Sequence, residues 1–217
     1  MKAPRFPLIG ILIASLAVPG CSIARFTPAL ATVTPVATAT VEPGGSITFE
    51  GGPTVGSVEE AESALDGGAP ALEIFASERY DSSELSQAGE TYTYAITLDT
   101  RQIALWQTNW CTTTEEILKQ NLEHTQVEFL VNGEAVSPDN IGAFETRGGD
   151  LYCAHFVAVV YDWPEGQIVL EINVTFDELI NDGLADYPKG THIYRYDVTA
   201  KESFAPTLNP PGNEPTG

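Results

Sequence analysis

The chain has 217 residues, 10 of them basic and 30 acidic, for a net charge of −20. Acidity on that scale repels phosphate backbones and anionic lipid heads, and it excludes nucleic acid as a partner. The length suits one domain with a sizeable core once a leader and linker are set aside.

The first residues carry Lys2 and Arg5, and an apolar run follows over residues 8–18. At about 11 residues the run is too short for a bilayer span, which needs about 20. Its basic, apolar and small-residue order is that of a secretory signal. It closes on Leu16-Ala17-Val18-Pro19-Gly20-Cys21. This stretch resembles the lipobox of bacterial lipoproteins, with Val18 where that family most often has Leu and with Pro19 in the middle position. The resemblance implies cleavage before Cys21, lipid on its sulfur, and a protein exported and held to the outer face of a bacterial membrane. Two or more acyl chains together anchor a protein stably. The alternative is an ordinary signal peptide with a cysteine near its end. Cleavage removes Lys2 and Arg5 and no acid, so −20 becomes −22.

Three cysteines are an odd number for an exported protein. If Cys21 carries lipid, Cys111 and Cys153 remain, and an oxidising compartment favours joining them. Closing a loop of about 43 residues stabilises by roughly 4 kcal/mol in the chain-entropy model. The alternative is two buried free thiols.

Residues 21–45 hold the lipidated cysteine and a Thr/Pro/Ala-rich linker with almost no charge, which predicts a disordered spacer. Residues 46–70 predict a loosely ordered lead-in. A strand over 46–50 and a short helix over 58–65 are cut off by Gly51-Gly52-Pro53 and Gly67-Gly68-Ala69-Pro70.

From residue 71 the pattern is β. Residues 72–76 predict a strand, and 82–89 a polar loop. Residues 91–98 alternate cleanly, with Tyr92, Tyr94, Ile96 and Leu98 on one face. Residues 102–110 continue as a strand with Trp106 and Trp110 on a shared face. Thr112 and Thr113 stand three residues before Glu115 and Glu116, a capping-box spacing that opens a helix ending near His124. Residues 126–136 predict a hairpin turned by Asn132-Gly133. Residues 137–150 read as a long loop.

Residues 151–161 are apolar almost throughout, as in a strand buried on both faces. Ile168, Leu170, Ile172, Val174 and Phe176 alternate inward, and His192, Tyr194, Tyr196 and Val198 share a face of the last strand. Residues 204–217 carry four prolines and no pattern, which predicts a disordered tail.

The domain over residues 71–203 therefore reads as a mostly β, antiparallel β-sandwich with one short inserted helix. Its last strand, Gly190-Thr191-His192-Ile193-Tyr194-Arg195-Tyr196-Asp197-Val198-Thr199, resembles the closing strand of immunoglobulin-like bacterial surface domains. That resemblance covers residues 71–200 and implies an immunoglobulin-like architecture, with no functional residue carried over. The chain departs from true immunoglobulin domains in two places. Tyr152 stands one residue before Cys153 rather than two, and Cys111 lies at a strand end beside the helix.

No nucleophile elbow, zinc-protease helix or phosphate loop is present. The candidate metal site is the loop carrying Asp177, Glu178, Asn181, Asp182 and Asp186, whose oxygens suit calcium. The alternative is a solvated hairpin loop turned by Asn181-Asp182-Gly183. No other cofactor is expected. The candidate ligand-binding aromatics are Trp163, expected to be exposed in a Pro-Gly turn, and Tyr187; such rings stack on sugars or grip a protein partner. His155 reads as structural, and His124 and His192 as surface residues. The expected function is a lipid-anchored, non-catalytic binding or interaction module with a protein or glycan partner. A structural envelope domain and an extracellular hydrolase are the alternatives.

Overall fold

The computed structural model describes residues 44–81 and 84–203. The predicted signal peptide, Cys21 and nearly all of the predicted linker lie outside the described residues, as does the predicted tail. In chain order the elements are β1 (Ile47–Thr48), β2 (Thr54–Val55), α1 (Val58–Asp66), β3 (Thr91–Asp99), β4 (Ala104–Thr112), α2 (Glu115–Glu123), β5 (Thr125–Val131), β6 (Glu134–Ala135), β7 (Gly142–Gly148), β8 (Leu151–Tyr161), β9 (Gly166–Phe176), β10 (Ile180–Asn181), β11 (Asp186–Tyr187) and β12 (Gly190–Lys201). Single 3-10 turns occupy Leu72–Phe75, Glu84–Ser86 and Pro138–Asn140.

The architecture is the expected mostly β sandwich. In one sheet β8 is central, with β4 along one edge and β7 and β2 sharing the other, and β1 lies beyond β2. The other sheet runs β3-β12-β9-β5-β6. Its pairings are antiparallel except β12 with β3, which is parallel. The two sheets meet over a core that includes Trp106, Ala158 and Val160 from the first and Phe129, Leu170, Ile172 and Tyr196 from the second. Trp106 meets Phe129 edge-on at 4.7 Å.

The period-two readings hold. Tyr92, Tyr94, Ile96 and Leu98 are buried, as are the five inward residues of β9. Asn132 and Gly133 take φ of 51° and 84°, the left-handed pair of a type I′ turn. The Asn132 side chain also fixes this turn, accepting from Val169 N at 3.0 Å and donating to Gly51 O at 3.1 Å. Cys111 and Cys153 are joined, and they stand directly opposite each other on β4 and β8. The disulfide thus staples neighbouring strands of one sheet; it does not tie the two sheets together.

Several expectations are corrected. Residues 46–70 are not a loose lead-in. Val55 is fully buried, and Ser57 caps α1 through a capping box with Glu60. Ala61 packs with Leu105, Val157 and Val159 in a second small core on the outer side of β8. That cover is what allows β8 to be apolar on both faces. Gly56 makes the close approach possible: a Cβ there would lie 2.5 Å from Val159 Cγ1. Helix α1 bears out the short helix expected over 58–65, and with α2 the described residues hold two α-helices. The second is capped by Thr114, not by Thr112 or Thr113, and the Thr114 hydroxyl accepts from Ile117 N at 3.2 Å. The predicted loop over 137–150 contains β7, which pairs with β8.

Leu72–Phe75 form a 3-10 turn where a strand is expected over 72–76. They lie between an isolated bridge of Ala71 to Leu105 and one of Ala76 to Ile96, so this strap passes from the first sheet to the second. A crossing between layers needs a bend. The spacing of Leu72, fully buried, and Phe75, packed on the core, fits one 3-10 turn.

The strap carries Glu73, whose carboxylate accepts from Tyr196 Oη at 2.6 Å. Burial pushes the Glu73 pKa up, against the opposing effect of the Tyr196 hydrogen bond. A carboxyl with a raised folded-state pKa adds stability that is complete below its unfolded pKa and is lost as pH rises through the folded value. Ionised Glu73 therefore burdens the fold at neutral pH. Glu73→Gln, which keeps an acceptor for Tyr196, is expected to raise the melting temperature at pH 7. That advantage shrinks as the pH is lowered toward 4.5. Tyr196→Phe is expected to cost about 1.5–3 kcal/mol in urea unfolding at pH 7.

Candidate ligand-binding cavity

At one end of the sandwich the chain crosses between the sheets through α2, which connects β4 to β5. At the same end β10 and β11 form a small hairpin between β9 and β12. The hairpin is docked by two bonds: Thr113 N donates to Asp182 O at 2.8 Å, and Asn121 Nδ2 donates to Asn181 O at 2.9 Å. Gly183, at φ 94°, lies against Thr113. A Cβ there would sit 1.8 Å from Thr113 Oγ1, so only glycine lets the hairpin seat.

Beneath the hairpin is a cavity of about 400 Å³. Its walls come from the ends of β4, β9 and β12 and from the hairpin, with Trp110, Phe176, Asp182, Leu184, Tyr187 and His192 among them. The rings form a cluster. Trp110 lies 5.1 Å from Phe176 and 4.7 Å from Tyr187, and Phe176 lies 5.1 Å from His192. Leu184, at the hairpin tip, is 77% exposed and forms the solvent-side rim.

Asp182 organises the hairpin. Its Oδ1 accepts from Leu184 N at 2.6 Å and Ala185 N at 2.7 Å, and its Oδ2 accepts from Tyr187 Oη at 3.0 Å. Burial first, and then Asp182, pushes the Tyr187 phenol up, so it remains a protonated donor.

Among the described residues, four buried side-chain atoms have no hydrogen-bond partner, Trp106 Nε1, Trp110 Nε1, Asn173 Oδ1 and His192 Nε2; Trp110 and His192 line the cavity, while these two atoms are themselves shielded from it. Burial pushes the His192 pKa down, opposed by a hydrogen bond to the Leu85 backbone, so the imidazole is neutral at physiological pH. The cavity thus offers ring surfaces, with the side chains of Thr108, Asn109 and Thr125 also in its wall.

The five residues of the predicted calcium loop divide into separate groups. Asp177 and Glu178 turn to His124, at 2.9 Å from Nδ1 and 3.4 Å from Nε2. Their charge raises the His124 pKa, chiefly through the Asp177 hydrogen bond. Asn181 accepts from Gly183 N and donates to Asp186 Oδ1, both at 2.7 Å. Asp182 is engaged as described. Among the described residues no three His, Cys, Asp or Glu side chains gather as a metal site.

Of the two predicted aromatics, Tyr187 lines the cavity and Trp163 does not. Trp163 is only 3% exposed, and its Nε1 donates to Gln102 O at 2.7 Å, because the Pro-Gly turn folds back over the β3–β4 connection. His192 is also corrected, from surface to 2% exposed. Its place on the Tyr194, Tyr196 and Val198 face was the signal for burial. Trp110 likewise shares the inward face of Trp106. His155 lies in β8, stacked on Phe144 at 5.6 Å and bonded to Thr146 Oγ1 at 2.8 Å, as a structural residue.

Asp182→Ala removes the acceptor for two backbone N–H groups and one phenol. It is expected to destabilise by about 2–3 kcal/mol in urea unfolding. The loss is expected to be the same with calcium and with chelator, because the carboxylate serves its own loop.

No protein-family model matches the chain, and no curated protein matches it. Among solved structures, the cysteine protease inhibitor EhICP2 from Entamoeba histolytica aligns over 52% of this chain and 87% of its own, with 7% identity and a TM-score of 0.23. A likeness that low carries no inference.

Proposed function

We propose that the protein is a lipid-anchored, extracytoplasmic binding module without catalytic activity, and that the cavity at the α2 end of the sandwich is its ligand site. The observation that supports this reading is the cavity itself, about 400 Å³ and walled by the rings of Trp110, Phe176, Tyr187 and His192. A concave space lined by aromatic side chains with a few polar groups suits a small molecule. The anchor reading is supported by the lipobox-like stretch ending in Cys21.

The test has two arms. Cys21→Ala, expressed in a bacterium with lipoprotein processing, is expected to move the protein from the membrane fraction to the soluble one. Retention on membranes would remove the anchor reading. The full chain, isotope-labelled and titrated with a chemically diverse set of small molecules, is expected to show NMR shifts that cluster on Trp110, Tyr187 and His192. Shifts that scatter over the surface, or an absence of shifts, would remove the cavity as the site.

A further inference from the structure

The two sheets part at the α2 end. Along three strands the inward face is buried in the middle of the sandwich and only half-buried where it lines the cavity. On β4 the change runs from Trp106 to Trp110, on β8 from Ala158 to Phe156, and on β5 from Phe129 to Val127. Trp110, Phe156 and Val127 pack against the core and also stand in the cavity wall. Val174 and Phe176 of β9 remain buried and close its inner side. The cavity of about 400 Å³ is therefore a length of inter-sheet space that the core side chains leave unfilled.

The polar side chains of the wall are few, and most are engaged. The Thr125 hydroxyl donates to Asn121 O at 2.7 Å. Asn109 alternates to the outer face of β4, where it is exposed and its amide donates to Cys111 Sγ at 3.3 Å. Both oxygens of Asp182 and the Tyr187 hydroxyl are held within the hairpin. Trp110 Nε1 and His192 Nε2 are shielded, so those atoms bond no ligand. What remains is the hydroxyl of Thr108, directly opposite Phe156, and that of Tyr194. Both are neutral, since burial first pushes the Tyr194 phenol up to about 12. No lysine or arginine lines the cavity, so an anion finds no counter-charge, and a cation finds no free carboxylate.

We infer that the cavity takes an uncharged, apolar small molecule, which lies between the sheets against Trp110 and Phe156 on one side and Val127 and Val174 on the other. Such a molecule leaves water for an apolar slot and loses no hydrogen bond in doing so. The inference rests on the binding-module reading and names the ligand class for the same site.

The probe is naphthalene on the full chain, compared with 2-naphthoate, 2-naphthylmethylammonium and glucose. Affinity is read from saturable shifts of the Val127 and Val174 methyl resonances, and position from nuclear Overhauser contacts with the ligand protons. Naphthalene is expected to bind at least about tenfold tighter than each of the other three, because a charge without a partner, or a sugar with too few, is costly to bury. Its protons are expected to contact Val127 and Val174 of one sheet and Trp110 and Phe156 of the other. Thr108→Phe places a ring in the space and is expected to weaken naphthalene by about tenfold or more. If that variant does not fold, the contacts on the natural chain decide alone. Contacts confined to one sheet, contacts only with exposed residues such as Ile74 and Ile103, or a folded Thr108→Phe that binds naphthalene as well as the natural chain would each overturn the inference. A charged probe or glucose that binds in the cavity as tightly as naphthalene overturns the ligand class and leaves the binding module standing. No shift of the cavity residues by these probes or by the diverse set overturns both.

Discussion

The fold depends on covering both faces of β8. Its inner face gives Ala158 and Val160 to the space between the sheets, and its outer face gives Val157 and Val159. A strand apolar on both sides is stable in water only if something lies over each face. The second sheet covers one. Helix α1 covers the other, held close by Gly56 and by Asn140, whose Nδ2 donates to Gly45 O at 2.8 Å and Gly56 O at 3.0 Å. With β8 fixed, β4 and β7 take their places on its two edges, and the Cys111–Cys153 disulfide pins the β4 end next to α2. The cavity is built at that pinned end.

What the sequence revealed follows from the range of the contacts. The alternation of β9 and β12 and the Asn132-Gly133 turn are set by neighbours a few residues away, and they were legible. The lead-in was misread because its partners are distant: Asn140 lies 95 residues from Gly45 and 84 from Gly56. Nothing local in residues 46–70 shows that a strand face waits to be covered. Trp163 was misplaced for the same reason, since its indole partner, Gln102, is 61 residues away. The strap over residues 72–76 was read as a strand because an apolar run of that length is ambiguous. Its bend comes from the crossing between sheets.

The site was half legible. Tyr187 was expected in it, and the inward registers of Trp110 and His192 were already written in the alternation of their strands. What periodicity does not show is that these two side chains arrive at the same end of the sandwich, around one cavity. The acidic loop gives the opposite lesson. Five oxygen-bearing side chains within ten residues suggest a cation, yet Asp182 holds two backbone N–H groups and a phenol of its own hairpin. Clustering in sequence and convergence in space are separate properties.

The measurement that tests the central claim most directly is a high-resolution crystal structure of the full chain purified from the membranes that carry it. The account predicts electron density for a small molecule in the cavity, against the rings of Trp110, Phe176 and Tyr187. Ordered waters alone in that space, or side chains that close it, would contradict it.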